Sequence, residues 1–350
     1  MTLQETLAAI APLDEKAVEI CWKHWDALAK PLRSLGKLET TVAQIAGIQR
    51  NPRVNIEKKG LIVMCADNGV VAEGVTQTGQ EVTAVVAENF EGDSKATTSI
   101  LCKKVGADIF PIDIGVYRDT KIRNCKIAYG TKNMFVEPAM TREEAIKALE
   151  VGINLAFEKK AEGYTMLAVG EMGIGNTTTS SAIASVLLDR PVEEMTGRGA
   201  GLSSAGLLRK IEVIKHAIEL HQPDPNDAID VLAKVGGLDI AGIAGVFLGG
   251  AAARIPVVID GFIAGVAALV AQRICPTAGD YMIASHVSQE PATKQILAAL
   301  GKEAFLTADM RLGEGSGAVV LFPILDLAVE VYYKMATFEE NEIETYVPLD

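Results

Sequence analysis

The rhythm of apolar and polar positions changes along this chain in a way that separates helices from strands. Between Asp14 and Gln49 the apolar side chains Val18, Ile20, Cys21, Trp25 and Leu28 recur at near-helical spacing, with a break from Pro31 to Gly36, which predicts a helical opening segment. Beyond it, short unbroken apolar runs alternate with longer helical stretches: GLIVMCA at 60–66, ADIFPIDIGV at 107–116, TMLAVGE at 165–171, IPVVID at 255–260 and YMIAS at 281–285. Runs without polar alternation belong to strands covered on both faces, and their alternation with helices predicts an α/β fold around an interior parallel sheet. No fixed-period repeat or linker interrupts the pattern. One large domain is expected over residues 51–334. Residues 1–50 and 335–350 are expected to form a small helical appendage, the polar tail EENEIET returning to the amino-terminal helices.

What ends the apolar runs carries the first functional signal. Asp67, Asp113, Glu171, Asp260 and the pair Ser285-His286 fall at or just past their carboxyl ends, the edge where open parallel sheets bind ligands. Any one of these acids alone reads equally well as a helix cap; together they point to a site. Residues 171–179, EMGIGNTTT, form a glycine-rich turn feeding a helix, SSAIASVLL at 180–188. Such a turn offers free N–H groups, the positive end of a helix and Thr hydroxyls to a phosphate. It lacks the Gly-Lys-Ser/Thr of a Walker loop and the GxGxxG order of a dinucleotide site.

A second loop, MRLGEGSG at 310–317, holds Glu314 between two glycines ahead of an apolar helix at 318–335. Glycines on both sides let backbone approach a ligand while the carboxylate points into the enclosed space. Asp260, in VVIDGF at 257–262, is placed to accept from ribose hydroxyls. His286, in SHVSQE at 285–290, reads more readily as a core or capping histidine than as a catalyst, and basic residues near these loops are few: Arg198, Lys210 and Arg311.

Composition narrows the classes. The 350 residues are 49% hydrophobic and 22% charged, enough apolar content to offset the ordering entropy of a folded chain. A formal charge of −12 without any basic cluster argues against nucleic acid and anionic membrane as partners. Cys21, Cys65, Cys102, Cys125 and Cys275 form no CxxC or framework spacing, which suits free thiols in a reducing cytoplasm. His24, His216, His221 and His286 share no metal-ligand spacing with them, so no metal is expected. The amino terminus has no basic segment of a signal peptide. The most hydrophobic stretch, 240–253, is 14 residues long and too short to span a bilayer.

Taken jointly, GEMGIGNTT at 170–178, KVGGLDIAGIAGVFLGGA at 234–251, VIDGFIAGVAAL at 258–269 and MRLGEGSGA at 310–318 closely resemble the nicotinate-nucleotide:dimethylbenzimidazole phosphoribosyltransferase family of cobamide lower-ligand assembly. SLGKLE at 34–39 and CADNGVVAEGV at 65–75 extend the resemblance over most of the chain. It implies a Rossmann-like parallel sheet covered by helices, a small helical domain from the chain termini, and a dimer with itself or a paralogue. It also implies transfer of the 5-phosphoribosyl group of nicotinate mononucleotide to an aromatic base without metal or redox cofactor.

Carried over residue by residue, Glu314 is the general base, and Thr78, Val86, Glu171, Met172 and Leu312 surround the acceptor ring. Gly173, Gly175, Asn176, Gly199, Lys210 and Gly315 contact phosphate or ribotide, with Asp260 and Ser288 beside the ribose. Asn68 and Gly201 depart from the family pattern, as does the Pro31-Leu32-Arg33-Ser34-Leu35-Gly36 stretch. Thr78, Val86 and Met172 stand where benzimidazole-using relatives tend to carry Ser, Gln and Leu. Two other readings compete: a nucleotide-dependent oxidoreductase, and a weakly active subunit of a heteromeric transferase.

Overall fold

The computed structural model describes residues 1–91 and 95–346; the last four residues of the expected appendage, 347–350, lie outside the described residues. Among the described residues six strands form one sheet: β1 Lys59–Ala66, β2 Asp108–Gly115, β3 Arg123–Asn124, β4 Met166–Met172, β5 Val257–Ile259 and β6 Met282–Ala284. Every neighbouring pair is parallel, in the order β3-β2-β1-β4-β5-β6. The five apolar runs became strands within a few residues of their expected limits. β3 was not anticipated, because two exposed polar residues give no apolar signal. The direction of strand addition reverses between β1 and β4, and in such sheets the crevice above that point receives ligands.

Each central strand sends alternate side chains to opposite faces. Leu61, Val63 and Cys65 of β1 join one buried cluster, whereas Ile62, Met64 and Ala66 join the other. On the second face, helices Arg142–Ala161 and Leu238–Ala253 pack so closely that glycines are obligatory at their crossing. A β-carbon on Gly152 would overlap the Gly242 carbonyl, and one on Gly245 the carbonyl of Leu149. The glycine-rich 234–251 segment therefore serves helix packing, and Leu238 through Ala251 are buried throughout.

The first face is covered by helix Ser316–Lys334, through Ala318, Leu321, Phe322 and Leu325, and by the opening helices Glu15–Ala27 and Lys37–Gln49, through Trp25, Val42 and Ile45. One apolar layer thus runs across residue 50. Helix 316–334 is long and apolar enough by length and composition to cross a membrane, with half of its most apolar window buried; the buried half packs in the layer against the sheet. Residues 336–338, just ahead of the EENEIET stretch, meet the end of helix Glu15–Ala27, whereas 339–345 are exposed. Leu28 and Thr337 pair as an antiparallel bridge, the Ala29 N–H donates to the Ala336 carbonyl, and Phe338 is buried.

Candidate active site

The carboxyl ends of β4, β5 and β6 and the 311–314 loop enclose a cavity of about 250 Å³. A smaller one, about 80 Å³, adjoins it through shared Gly173, Asn176, Thr177 and Gly199.

Glu314 lines the larger cavity. Its loop makes three successive left-handed residues, Gly313 (φ 85°), Glu314 (φ 61°) and Gly315 (φ 82°). A non-glycine residue there is uncommon and costs free energy. What holds it is Asp260, just past β5, which accepts from the N–H groups of Gly317 (2.7 Å), Ala318 (3.0 Å) and Gly315 (3.2 Å). Asp260 therefore caps helix 316–334, complementing the positive end of the helix. Burial raises its pKa against the pull of these N–H groups. The Thr98 hydroxyl donates to Glu314 Oε2 at 3.1 Å. Burial pushes the Glu314 carboxyl above its usual range, which raises its affinity for a proton.

The end of β4 carries a buried acid pair. Asn176 donates its side-chain amide to Glu171 Oε2 and, at 3.0 Å, to Asp239 Oδ2. Desolvation, with the Asp239 charge nearby, pushes Glu171 up to about 8; desolvation also pushes Asp239 up to about 7.

At the smaller cavity, helix Asn176–Leu188 begins after Gly175 (φ 94°) with no side chain capping it. The helix starts four residues earlier than expected, because the threonines are its first turn. Lys210 is fully buried and donates to Thr177 Oγ1 at 2.8 Å and the Gly197 carbonyl at 3.3 Å. Desolvation lowers its pKa to about 8, with Glu290 opposing. A buried cation, a hydroxyl and an open helix start form an anion cradle.

Val86, Glu171, Met172, Leu312, Asp260 and Ser288 share the larger cavity with Glu314. Gly173, Asn176 and Gly199 line both cavities, and Gly175 and Lys210 the smaller. Two expected residues stand elsewhere. Thr78 opens onto the smaller cavity, on the cradle side. Gly315 lines neither: it rests against Leu61 and Gly170, and its N–H is used by Asp260.

Among the strand-end acids, Asp113 binds Lys126 at 2.9 Å and the Thr120 hydroxyl at 2.7 Å, and Asp67 accepts the Tyr117 N–H at 2.9 Å. Both lie outside the two cavities. The sequence reading missed Thr98, which lies in a helix 216 positions from Glu314 with no motif around it. It also missed Asp239, whose setting after Gly236-Gly237 resembles an ordinary helix-start acid.

Comparison with known proteins agrees in fold and length. A family model described as DBI_PRT, phosphoribosyltransferase, matches residues 10–343. A nicotinate-nucleotide–dimethylbenzimidazole phosphoribosyltransferase of Ruminiclostridium cellulolyticum is 48% identical over 353 residues, covering all of both chains. The protein of that name from Clostridium acetobutylicum is 49% identical over 354 residues, again covering both entirely. The crystal structure of CobT from Thermus thermophilus superposes with a TM-score of 0.89 at 36% identity, covering 95% of this chain and 100% of that one.

Proposed function

The chain belongs to the nicotinate-nucleotide:dimethylbenzimidazole phosphoribosyltransferase family, and on that premise we propose how its site carries out the transfer. It is an enzyme, a phosphoribosyltransferase that moves the 5-phosphoribosyl group of nicotinate mononucleotide to a lower-ligand base for cobamide biosynthesis. The bond from the sugar C1′ to the pyridinium nitrogen breaks with its electron pair staying on that nitrogen, so nicotinate leaves as a neutral ring and needs no general acid. The acceptor's nitrogen, or a phenol's oxygen, bonds to C1′ from the opposite face, inverting it to the α-ribotide. The acceptor's proton passes to Glu314.

The observation that carries this reading is the setting of Glu314: a carboxylate of raised proton affinity, held in a left-handed turn at the lip of the cavity. Asp260 and Glu290 line the same cavity, and their ionised carboxylates favour both the pyridinium and the positive charge that develops at C1′. Lys210, Thr177 and the uncapped helix start receive the 5′-phosphate in this reading. Positioning of the two rings around C1′ supplies much of the remaining rate.

Val86, Met172 and Leu312 give the acceptor side apolar surface. The acceptor is then a flat ring with one N–H or O–H for Glu314 and little other hydrogen bonding, a phenolic ring included. The working unit in this reading is a cytoplasmic homodimer or a dimer with a paralogue; nicotinate release by the purified chain alone distinguishes them.

The test is Glu314→Gln, an amide of the same shape that cannot take the proton. Nicotinate release is expected to fall by roughly 10²–10⁴-fold while nicotinate mononucleotide still binds. Unchanged turnover rejects the assignment. In the same assay benzimidazole and p-cresol are expected to outrun adenine, and a strong preference for dimethylbenzimidazole overturns the acceptor reading.

A further inference from the structure

His286 stands just past β6, in the wall of the larger cavity, and only 4% of its surface is exposed. Its surroundings fix which ring nitrogen carries hydrogen. Ser285 Oγ lies 3.0 Å from the Asp260 carbonyl and 3.0 Å from His286 Nδ1. A carbonyl can only accept, so the single hydroxyl proton of Ser285 goes to Asp260. The serine oxygen must then accept from His286, which puts a hydrogen on Nδ1. Asp260 Oδ1, 4.0 Å from Nδ1, favours the same arrangement. In the neutral ring, Nε2 is left as a lone-pair acceptor. Among the described residues Nε2 has no hydrogen-bond partner, and it is absent from the sealed polar atoms that lack one.

The ring is clamped in place. A β-carbon on Gly261 would come within 3.3 Å of its Cε1, and one on Gly317 would collide with the ring itself. Gly317 donates to Asp260 at 2.7 Å and belongs to the turn that presents Glu314. A fixed imidazole, with one nitrogen committed to Ser285 and the other free at the cavity, is preorganised to receive a hydroxyl proton. The sugar of a ribotide has to lie between its 5′-phosphate and C1′, hence between the Lys210 cradle and Glu314, and the wall of Gly261, His286 and Ser288 belongs to that same cavity.

We infer that His286 is a sugar-binding residue whose Nε2 accepts a hydrogen bond from a ribose hydroxyl, 2′ or 3′, of the phosphoribosyl donor. The inference rests on the proposed transfer reaction and deepens it. One chain of hydrogen bonds then runs from the sugar hydroxyl to His286, Ser285 and the Asp260 carbonyl. The Asp260 carboxylate in turn holds the turn of the general base, so seating the sugar and positioning Glu314 are parts of one arrangement.

The test uses nicotinate mononucleotide and its 2′-deoxy and 3′-deoxy analogues, with nicotinate release as the readout. In the wild type, one deoxy analogue is expected to lose roughly 10- to 100-fold in kcat/KM. His286→Gln, whose amide reaches the Nε2 position, is expected to keep most of that penalty. His286→Asn, which keeps only an atom near Ser285, is expected to reduce it to under about threefold, since the acceptor is already gone. Equal penalties in the wild type and His286→Asn overturn the inference, as does a wild type indifferent to both analogues.

Imidazole ¹⁵N NMR on the wild type is independent of how the variants fold. A hydrogen on Nδ1 and a shift at Nε2 on adding nicotinate mononucleotide are expected; an Nε2 resonance unmoved by saturating ligand overturns the inference. A wild type that releases no nicotinate from the intact ribotide instead rejects the transfer reaction itself, a result distinct from all of these.

Discussion

Glu314 owes its position to atoms that its neighbours lack. A β-carbon on Gly170 would run into the Glu314 backbone, and one on Gly313, at φ 85°, into Glu171 Oε1. Gly313→Ala adds one methyl group in a left-handed conformation and forces either the turn or Glu171 to move. Since a displacement of about 1 Å at a reacting group costs on the order of 10²-fold, kcat/KM for nicotinate release is expected to drop by about that factor. Thermal unfolding is expected to shift only modestly. Full activity in Gly313→Ala removes the steric argument.

At this scale the sequence was legible wherever a chemical group sits in a local pattern. Glu314 between glycines and the glycine turn ahead of Thr177 announce themselves. Thr98 does not, because its role comes from a helix folded over the loop, and Gly315 misled because loop membership does not decide which way a residue faces.

Helices 142–161 and 238–253 show a glycine pattern whose meaning emerges only between elements. On an exposed helix, replacing Gly by Ala stabilises by about 1 kcal/mol. At Gly245 the added carbon would overlap the Leu149 carbonyl. Gly245→Ala is therefore expected to destabilise by about 1–3 kcal/mol, read as a lower urea midpoint; a gain in stability contradicts the close crossing. The strands were legible because both their faces are buried, which removes polar alternation from the sequence. The boundary of helix 176–188 was less so, since Thr and Ser fit equally a loop or a first helical turn. The one strand that escaped, β3, pairs through its backbone alone at the sheet edge.

Across the whole molecule, burial has raised the proton affinity of the cavity acids Glu171, Asp260, Glu290 and Glu314, of Asp239 beside them, and of Asp67 outside the cavities. Between the ordinary carboxylate range and the raised values, the folded chain binds more protons than the unfolded one. Stability must then fall as pH rises through that window. With Glu171 at about 8 and Asp239 at about 7, urea unfolding is expected to show lower stability at pH 8 than at pH 5.5. Glu171→Gln is expected to flatten that slope, and stability rising across the window contradicts the account. Strand order, unlike the strands themselves, was not derivable from apolar runs, since pairing joins residues a hundred positions apart, as Met64 with Glu171.

Two helix beginnings lie near the cavities, and the chain treats them oppositely. The start of helix 316–334 is plugged by the carboxylate of Asp260, whereas that of helix 176–188 is left bare beside Lys210. The vestibule is thereby an electrical compass, anion-seeking at one pole and cation-seeking at the other. In the proposed transfer a nucleotide entering backwards would press its phosphate against Glu314 and Asp260, and the opposite heading is the one that brings the anomeric carbon under attack.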